Sequence, residues 1–264
     1  MNDSVLDHPE ILTAVFHPRR EEGPARDNPN ATDHLIEVEA GVHVGARFHM
    51  ASEKSANLIY FHGNGEIVAD YDQLAPIYNN LGINLLAVDY RGYGRSTGSP
   101  SISAMMADCH CIFRFTCDWL SNRGYNGPLV VMGRSLGSAS ALELAAAYGD
   151  EINALIIESG FAFTMPLLIL LGVDPERIGL AEKKIFDNLE KIKKYRGPTL
   201  IIHAEYDHII PYSDGMALFK ASTAQDKSLL KIENANHNDI FFRGMDTYMQ
   251  AIQRLVSRLR VSRK

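Results

Sequence analysis

A chain of 264 residues, 46% of them hydrophobic, is long enough to bury a large core without disulfide or metal staples. Its net charge of −6 argues against a surface that tracks nucleic-acid phosphates. Its three cysteines, Cys109, Cys111 and Cys117, cannot all pair and lack zinc-ligand spacing, which predicts core-packed thiols, a reducing compartment and no metal site.

In chain order, the opening Met1-Asn2-Asp3-Ser4 lacks the basic start and apolar run of a signal peptide. No later apolar stretch reaches the length of a membrane span, so a cytoplasmic location without stable membrane anchoring is the expectation. Residues 1–33 read as an irregular lead-in, rich in Pro, Arg, Glu and Asn from residue 10 onward. Residues 34–264 read as one domain. Its first two segments, 34–39 and 43–50, alternate apolar and polar around Ala40-Gly41-Val42, the pattern of an antiparallel hairpin. Apolar runs at 57–61, 84–89, 129–132, 154–158, 199–203 and 228–233 then alternate with helical patterns at 67–81, 101–123, 136–148, 213–221 and 239–259. Continuous apolar strands are buried on both faces, so this order predicts an α/β architecture: a mostly parallel sheet covered by helices. Residues 161–195 are a candidate insert, either a small cap or part of the main core. Arg254, Arg258, Arg260, Arg263 and Lys264 close the chain, a pattern that suits the carboxyl end of a solvated helix.

One of these strands carries chemistry. The run Leu129-Val130-Val131-Met132 ends in Gly133-Arg134-Ser135-Leu136-Gly137, and a small-residue helical segment follows at once. G-x-S-x-G between strand and helix is the nucleophile elbow, a strained turn that lifts the serine hydroxyl above the sheet. A serine needs a base within hydrogen-bond reach. His237 is the candidate, because its polar loop follows the last strand and precedes the last helix. Asp207, in the loop after residues 199–203, is the candidate carboxylate for that base, with Glu158 and Glu205 as rivals. His208 reads as a loop histidine, and Asp174 as a turn or helix cap before Pro175. Oxyanion donors are expected from the backbone N–H of Leu136 and that of Asn64, with Gly63 one residue away, in the loop Phe61-His62-Gly63-Asn64-Gly65-Glu66. That loop lacks the spacing and lysine of a nucleotide loop. His62 reads as a structural residue. Asp89-Tyr90-Arg91-Gly92-Tyr93-Gly94-Arg95-Ser96 reads as a structural turn rather than a substrate-binding arginine loop.

Taken in order, these motifs resemble the α/β-hydrolase superfamily. Within it the chain is similar to the compact serine hydrolases that include the α/β-hydrolase-domain depalmitoylases and their bacterial relatives. The resemblance runs from about residue 34 onward. It implies an eight-stranded, mostly parallel sheet, a Ser135–Asp207–His237 triad, an oxyanion hole from Asn64 and Leu136, and no cofactor. It further implies cleavage of small-molecule carboxylic esters or thioesters through an acyl-enzyme. Acyl transfer and amide or peptide cleavage run on the same machinery, and a binding protein on a hydrolase fold is a further alternative. The depalmitoylases carry an N-terminal cysteine cluster, whereas the first cysteine here is Cys109.

Overall fold

The computed structural model describes residues 7–22, 31–180 and 185–259. Eight strands form one sheet: β1 (Ala31–Glu39), β2 (Val42–His49), β3 (Ala56–Phe61), β4 (Ile83–Val88), β5 (Leu129–Arg134), β6 (Ala154–Glu158), β7 (Thr199–Ala204) and β8 (Lys227–Ile232). Their order is β1-β2-β4-β3-β5-β6-β7-β8. The β1–β2 and β2–β4 pairs are antiparallel, and all pairs from β4 to β8 are parallel. This is the mostly parallel sheet with an antiparallel leading hairpin that the apolar runs imply. Gly41 turns that hairpin at φ +76°, a conformation that suits a residue without Cβ.

The helices are α1 (Pro9–Val15), α2 (Ala75–Asn80), α3 (Ile102–Asn122), α4 (Ser138–Ala147), α5 (Thr164–Leu170), α6 (Asn188–Lys194), α7 (Tyr212–Ala221) and α8 (Ile240–Val256). Strand periodicity divides the core between two faces. Ile59, Leu86, Val131, Ile157 and Ile201 point to the side packed by α3, α4, α6 and α7. Leu58, Leu85, Met132, Ile156 and Ile202 point to the other side, against Tyr78 of α2 and Tyr248, Ile252 and Leu255 of α8.

The structure departs from the sequence pattern in a few places. The lead-in read as irregular contains α1, whose Pro9 start is capped by His8 and whose Ile11 and Val15 are buried. Seven residues are too few for a helical period to stand out, and the helix is held by packing against α5. The helical pattern at 67–81 is broken into a 3₁₀ turn, Val68–Tyr71, and α2, with Pro76 in the first turn of α2. The candidate insert holds α5 and α6. Cys109 is buried, as expected of a core thiol, but Cys111 is exposed because it lies round the outer side of α3. Arg258 donates to the Arg254 carbonyl at 3.0 Å beyond the end of α8, as a helix-end arginine does. The opening tetrapeptide, residues 23–30, and Arg260, Arg263 and Lys264 lie outside the described residues. Among the described residues no helix is long and apolar enough to cross a membrane.

A buried amide clamps the edge of the sheet at the amino ends of its parallel strands. Asn84, at the start of β4, accepts from Ala51 N at 2.6 Å and Ser52 N at 3.2 Å, and donates to the Ser52 carbonyl at 3.0 Å and Asn57 Oδ1 at 2.8 Å. Asn84→Leu leaves these buried partners unmatched. It should cost about 1–3 kcal/mol in urea unfolding; a variant as stable as the parent would show that the clamp contributes nothing.

Candidate active site

Four strand ends converge at the carboxyl edge, the edge at which open α/β sheets bind ligands. The loop after β3 carries residues 62–66, the turn after β5 carries Ser135, the loop after β7 carries Asp207 and the loop after β8 carries His237.

Ser135 has φ +50°, a left-handed conformation that costs a serine about 1–3 kcal/mol. The turn is this sharp because β5 runs straight into a 3₁₀ turn, Ser135–Gly137, and then α4. Side chains are excluded on both flanks. A Cβ on Gly133 would run into the Gly137 carbonyl, and one on Gly137 into the Phe61 carbonyl at the end of β3.

The His237 Nε2 lies 2.9 Å from Ser135 Oγ, and its Nδ1 lies 2.8 Å from Asp207 Oδ2. With the Nδ1 proton donated to the carboxylate, Nε2 is free to accept from the serine hydroxyl. All three residues are buried. The other oxygen of Asp207 accepts the backbone N–H of Ile209 at 3.0 Å and Ile210 at 2.8 Å, which fixes the carboxylate plane. Burial pushes the Asp207 carboxyl up, but the hydrogen bond and charge of His237 together with the Ile210 amide hold it below the usual range. Behind it, His203 is kept neutral by burial and donates Nε2–H to the Ile210 carbonyl at 2.8 Å.

The rival carboxylates are engaged elsewhere. Glu205 pairs with Lys231 and accepts the Asn234 N–H. Glu158 accepts from Arg134 at 3.1 Å and from the Tyr248 hydroxyl at 2.6 Å. His208 is exposed. Asp174 accepts the amides of Glu176 and Arg177 in a turn.

Gly63, Asn64 and Leu136 line the same cavity as Ser135 and His237. The Gly63 N–H donates to Glu66 Oε2 at 2.7 Å, so of the two neighbouring loop amides this one is already used. The Asn64 side chain is tied to other loops: its Oδ1 accepts from the Tyr93 hydroxyl at 2.6 Å and the His17 N–H at 2.9 Å. The loop is braced from below by His62. Both of its ring nitrogens face acceptors, Gly63 O at 2.7 Å and Asp89 Oδ1 at 3.1 Å. Burial opposes charge on this ring, yet Asp89 and the carbonyl raise its pKa, in keeping with an imidazolium. Arg91 pairs with Glu39 of β1 and Asp108 of α3, contacts that tie its loop to the scaffold.

The cavity over Ser135 holds about 250 Å³. Its apolar wall includes Val15 at the end of α1, Phe161, Phe186, Ile210, and Leu167 and Leu168 of α5.

Sequence reasoning missed a set of charges under this floor. Arg134, inside the G-x-S-x-G motif, donates Nε–H to Glu66 Oε1 at 2.8 Å, Nη1–H to Glu158 Oε1 at 3.1 Å and Nη2–H to the His237 carbonyl at 3.1 Å. Nothing local marks these partners. The one available signal was a long cation placed between a buried strand and a buried helix, where it needs counter-charges.

The sheet and the sharp turn between β5 and α4, with serine, histidine and aspartate hydrogen-bonded in sequence, define the class as an α/β protein with a polar site at the carboxyl edge of its strands. Residues 52–174 match the family described as serine aminopeptidase, S33. The chain is 30% identical over 214 residues to human alpha/beta hydrolase domain-containing protein 17B, covering 76% of this chain and 66% of that protein. It is 30% identical over 206 residues to protein bem46 of Schizosaccharomyces pombe, covering 76% and 67%. The matched region thus spans about two thirds of the length of these curated relatives. An esterase from Pyrococcus furiosus, Pf2001, superposes with a TM-score of 0.73 at 16% identity over 92% of this chain and 99% of that one, a likeness of fold. The chain belongs to the α/β-hydrolase superfamily.

The charges beneath the floor have a pH signature. Burial pushes the Glu66 carboxyl up, but the Arg134 charge and the Tyr71 hydrogen bond outweigh it and bring its pKa to about 2. An unfolded glutamate titrates near about 4.3. The folded value is depressed, so this pairing stabilises the fold above the unfolded pKa and is lost as pH falls from about 5 toward about 2. Glu66→Gln should therefore narrow the difference in urea stability between about pH 7 and about pH 3; an unchanged difference contradicts the pairing.

Proposed function

We propose that the protein is a serine hydrolase that cleaves carboxylic esters or thioesters with an apolar acyl group. The observation that carries this reading is the continuous hydrogen-bonded path Ser135 Oγ–His237 Nε2 and His237 Nδ1–Asp207 Oδ2, at 2.9 and 2.8 Å, beneath an apolar cavity. His237 takes the hydroxyl proton as Ser135 Oγ bonds to the carbonyl carbon. The carbonyl oxygen, now negative, receives the backbone N–H of Asn64 and of Leu136. As the bond to the leaving group breaks, His237 returns the proton to that group. Water then attacks the acyl-serine, His237 takes its proton, and the acid departs with Ser135 restored. Asp207 stays ionised throughout and stabilises the imidazolium. These steps need no cofactor. The cavity wall supplies the acyl site, and within the candidate insert α5 acts as the small cap, since its Leu167 and Leu168 line the cavity, whereas α6 packs on α4 and α7.

Amide cleavage is a second reading, favoured by the description of the matched family as a serine aminopeptidase. An aminopeptidase needs a carboxylate free to receive the substrate ammonium. The carboxylate lining this cavity, Glu66, is already committed to Arg134, Gly63 and Tyr71. That commitment is why we prefer an ester or thioester.

Ser135→Ala should lower kcat for a short p-nitrophenyl ester by at least about 10⁴-fold while leaving the urea midpoint near that of the parent. Substantial turnover by the alanine variant would refute the assignment. Aminoacyl p-nitroanilides should be poor substrates; a preference for them over esters would reverse the choice between the two readings.

A further inference from the structure

The geometry points to Arg134 as a positioning residue that sets the distance between the oxyanion amide and the catalytic base. The inference rests on the serine-hydrolase reading above and extends it to a group that touches no reacting atom.

The path runs through named atoms. Gly63 N–H donates to Glu66 Oε2 at 2.7 Å, Glu66 Oε1 accepts from Arg134 Nε–H at 2.8 Å, and Arg134 Nη2–H donates to the His237 carbonyl at 3.1 Å. The amide assigned to the oxyanion belongs to the residue after Gly63. The imidazole assigned as base belongs to the residue whose carbonyl is held. One guanidinium therefore fastens the loop after β3 to the loop after β8. The third direction, Nη1–H to Glu158 Oε1 at 3.1 Å, anchors the cation to the end of β6, where Tyr248 holds the other carboxylate oxygen at 2.6 Å. Arg134 directly precedes Ser135, so the nucleophile shares the same fixed point.

Only an arginine suits this position. The guanidinium is a rigid plane that sends donors from three nitrogens in three directions, whereas a lysine ammonium is a point charge on a flexible stem. The side chain is only 11% exposed, so its charge is matched by carboxylates rather than by water. Glu66 is equally specific. Both of its oxygens face donors, and an amide in its place turns one acceptor into a donor that opposes another donor. An alternative role for Arg134, binding a substrate carboxylate, predicts a change in KM. A positioning role predicts a change in kcat, because the hole and the base meet the reacting atoms most closely in the transition state.

The test uses the full chain, a short p-nitrophenyl ester, and the variants Arg134→Lys, Glu66→Gln and their combination, with Ser135→Ala as the control for the chemistry. Each single variant should lower kcat by roughly 10- to 100-fold with KM within about twofold, the effect of displacing reacting groups by a fraction of an ångström to about 1 Å. The double variant should be no slower than the slower single one, because both break the same link. Added guanidinium, but not ammonium, should raise kcat of Arg134→Ala, since Arg134 lines two cavities. A folded Glu66→Gln with parental kcat overturns the proposal even if Arg134→Lys fails to fold. So does a rise in KM at constant kcat, or a double variant whose losses multiply. These results leave the nucleophile assignment standing if Ser135→Ala is dead, whereas an active Ser135→Ala removes the serine reading itself.

Discussion

The arrangement depends on one close approach. The backbone of Gly137, at the start of the helix that follows the serine, sits against the carbonyl of Phe61 at the end of β3, where no side chain fits. Gly133 faces Gly137 across the turn at equally short range. With both flanks free of Cβ atoms, a buried strand passes into a buried helix within three residues. Ser135 at the apex is then held with φ +50°. The strain is maintained by the strands on either side, since β5 pairs with β3 and β6 along most of its length. The same contact brings the start of α4 up to the loop after β3, so Ser135 and residues of that loop line one cavity.

Along the floor of that cavity lies a second organising feature, a partly buried layer of charge. Arg134, Glu66 and Glu158 form a cluster with the hydroxyls of Tyr71 and Tyr248. Burial pushes the Glu158 carboxyl up, with Arg134 and Tyr248 opposing it, while Glu66 is drawn down to about 2. A second cluster, His62 with Asp89, supports the loop after β3 from its other side, and Asp89 also accepts the Val68 N–H at 3.0 Å. Such groups add little net stability compared with apolar packing, because desolvation offsets their attraction. Their directional bonds hold loops in register, which is the requirement of a site assembled from four strand ends.

How much of this was readable from the amino-acid order follows from the range of each interaction. Strands such as 154–158 were clear because burial on both faces demands an unbroken apolar run. The elbow was clear because its causes, two glycines and a serine between strand and helix, lie within five residues. Asp207 and His237 stood out as polar loop residues after successive strands, and the structure brings both to Ser135. Helix α1 did not stand out, since Ile11 and Val15 gain their burial only from elements far along the chain. The Arg134 cluster was invisible for the same reason: its partners stand 68, 24 and 103 residues away. The sequence favoured the Asn64 amide over its neighbour Gly63 as second donor, and it could not show that the Gly63 amide is bonded to Glu66.

The central claim is that the hydroxyl at the apex of the elbow is the activated one. Peptide mapping by mass spectrometry after exposure to a fluorophosphonate tests it most directly. The account predicts one phosphonyl adduct, on the peptide that contains Ser135, formed far more slowly when His237 is replaced by alanine. An adduct on a different serine of the folded protein, or labelling of Ser135 at the same rate without the imidazole, would contradict it.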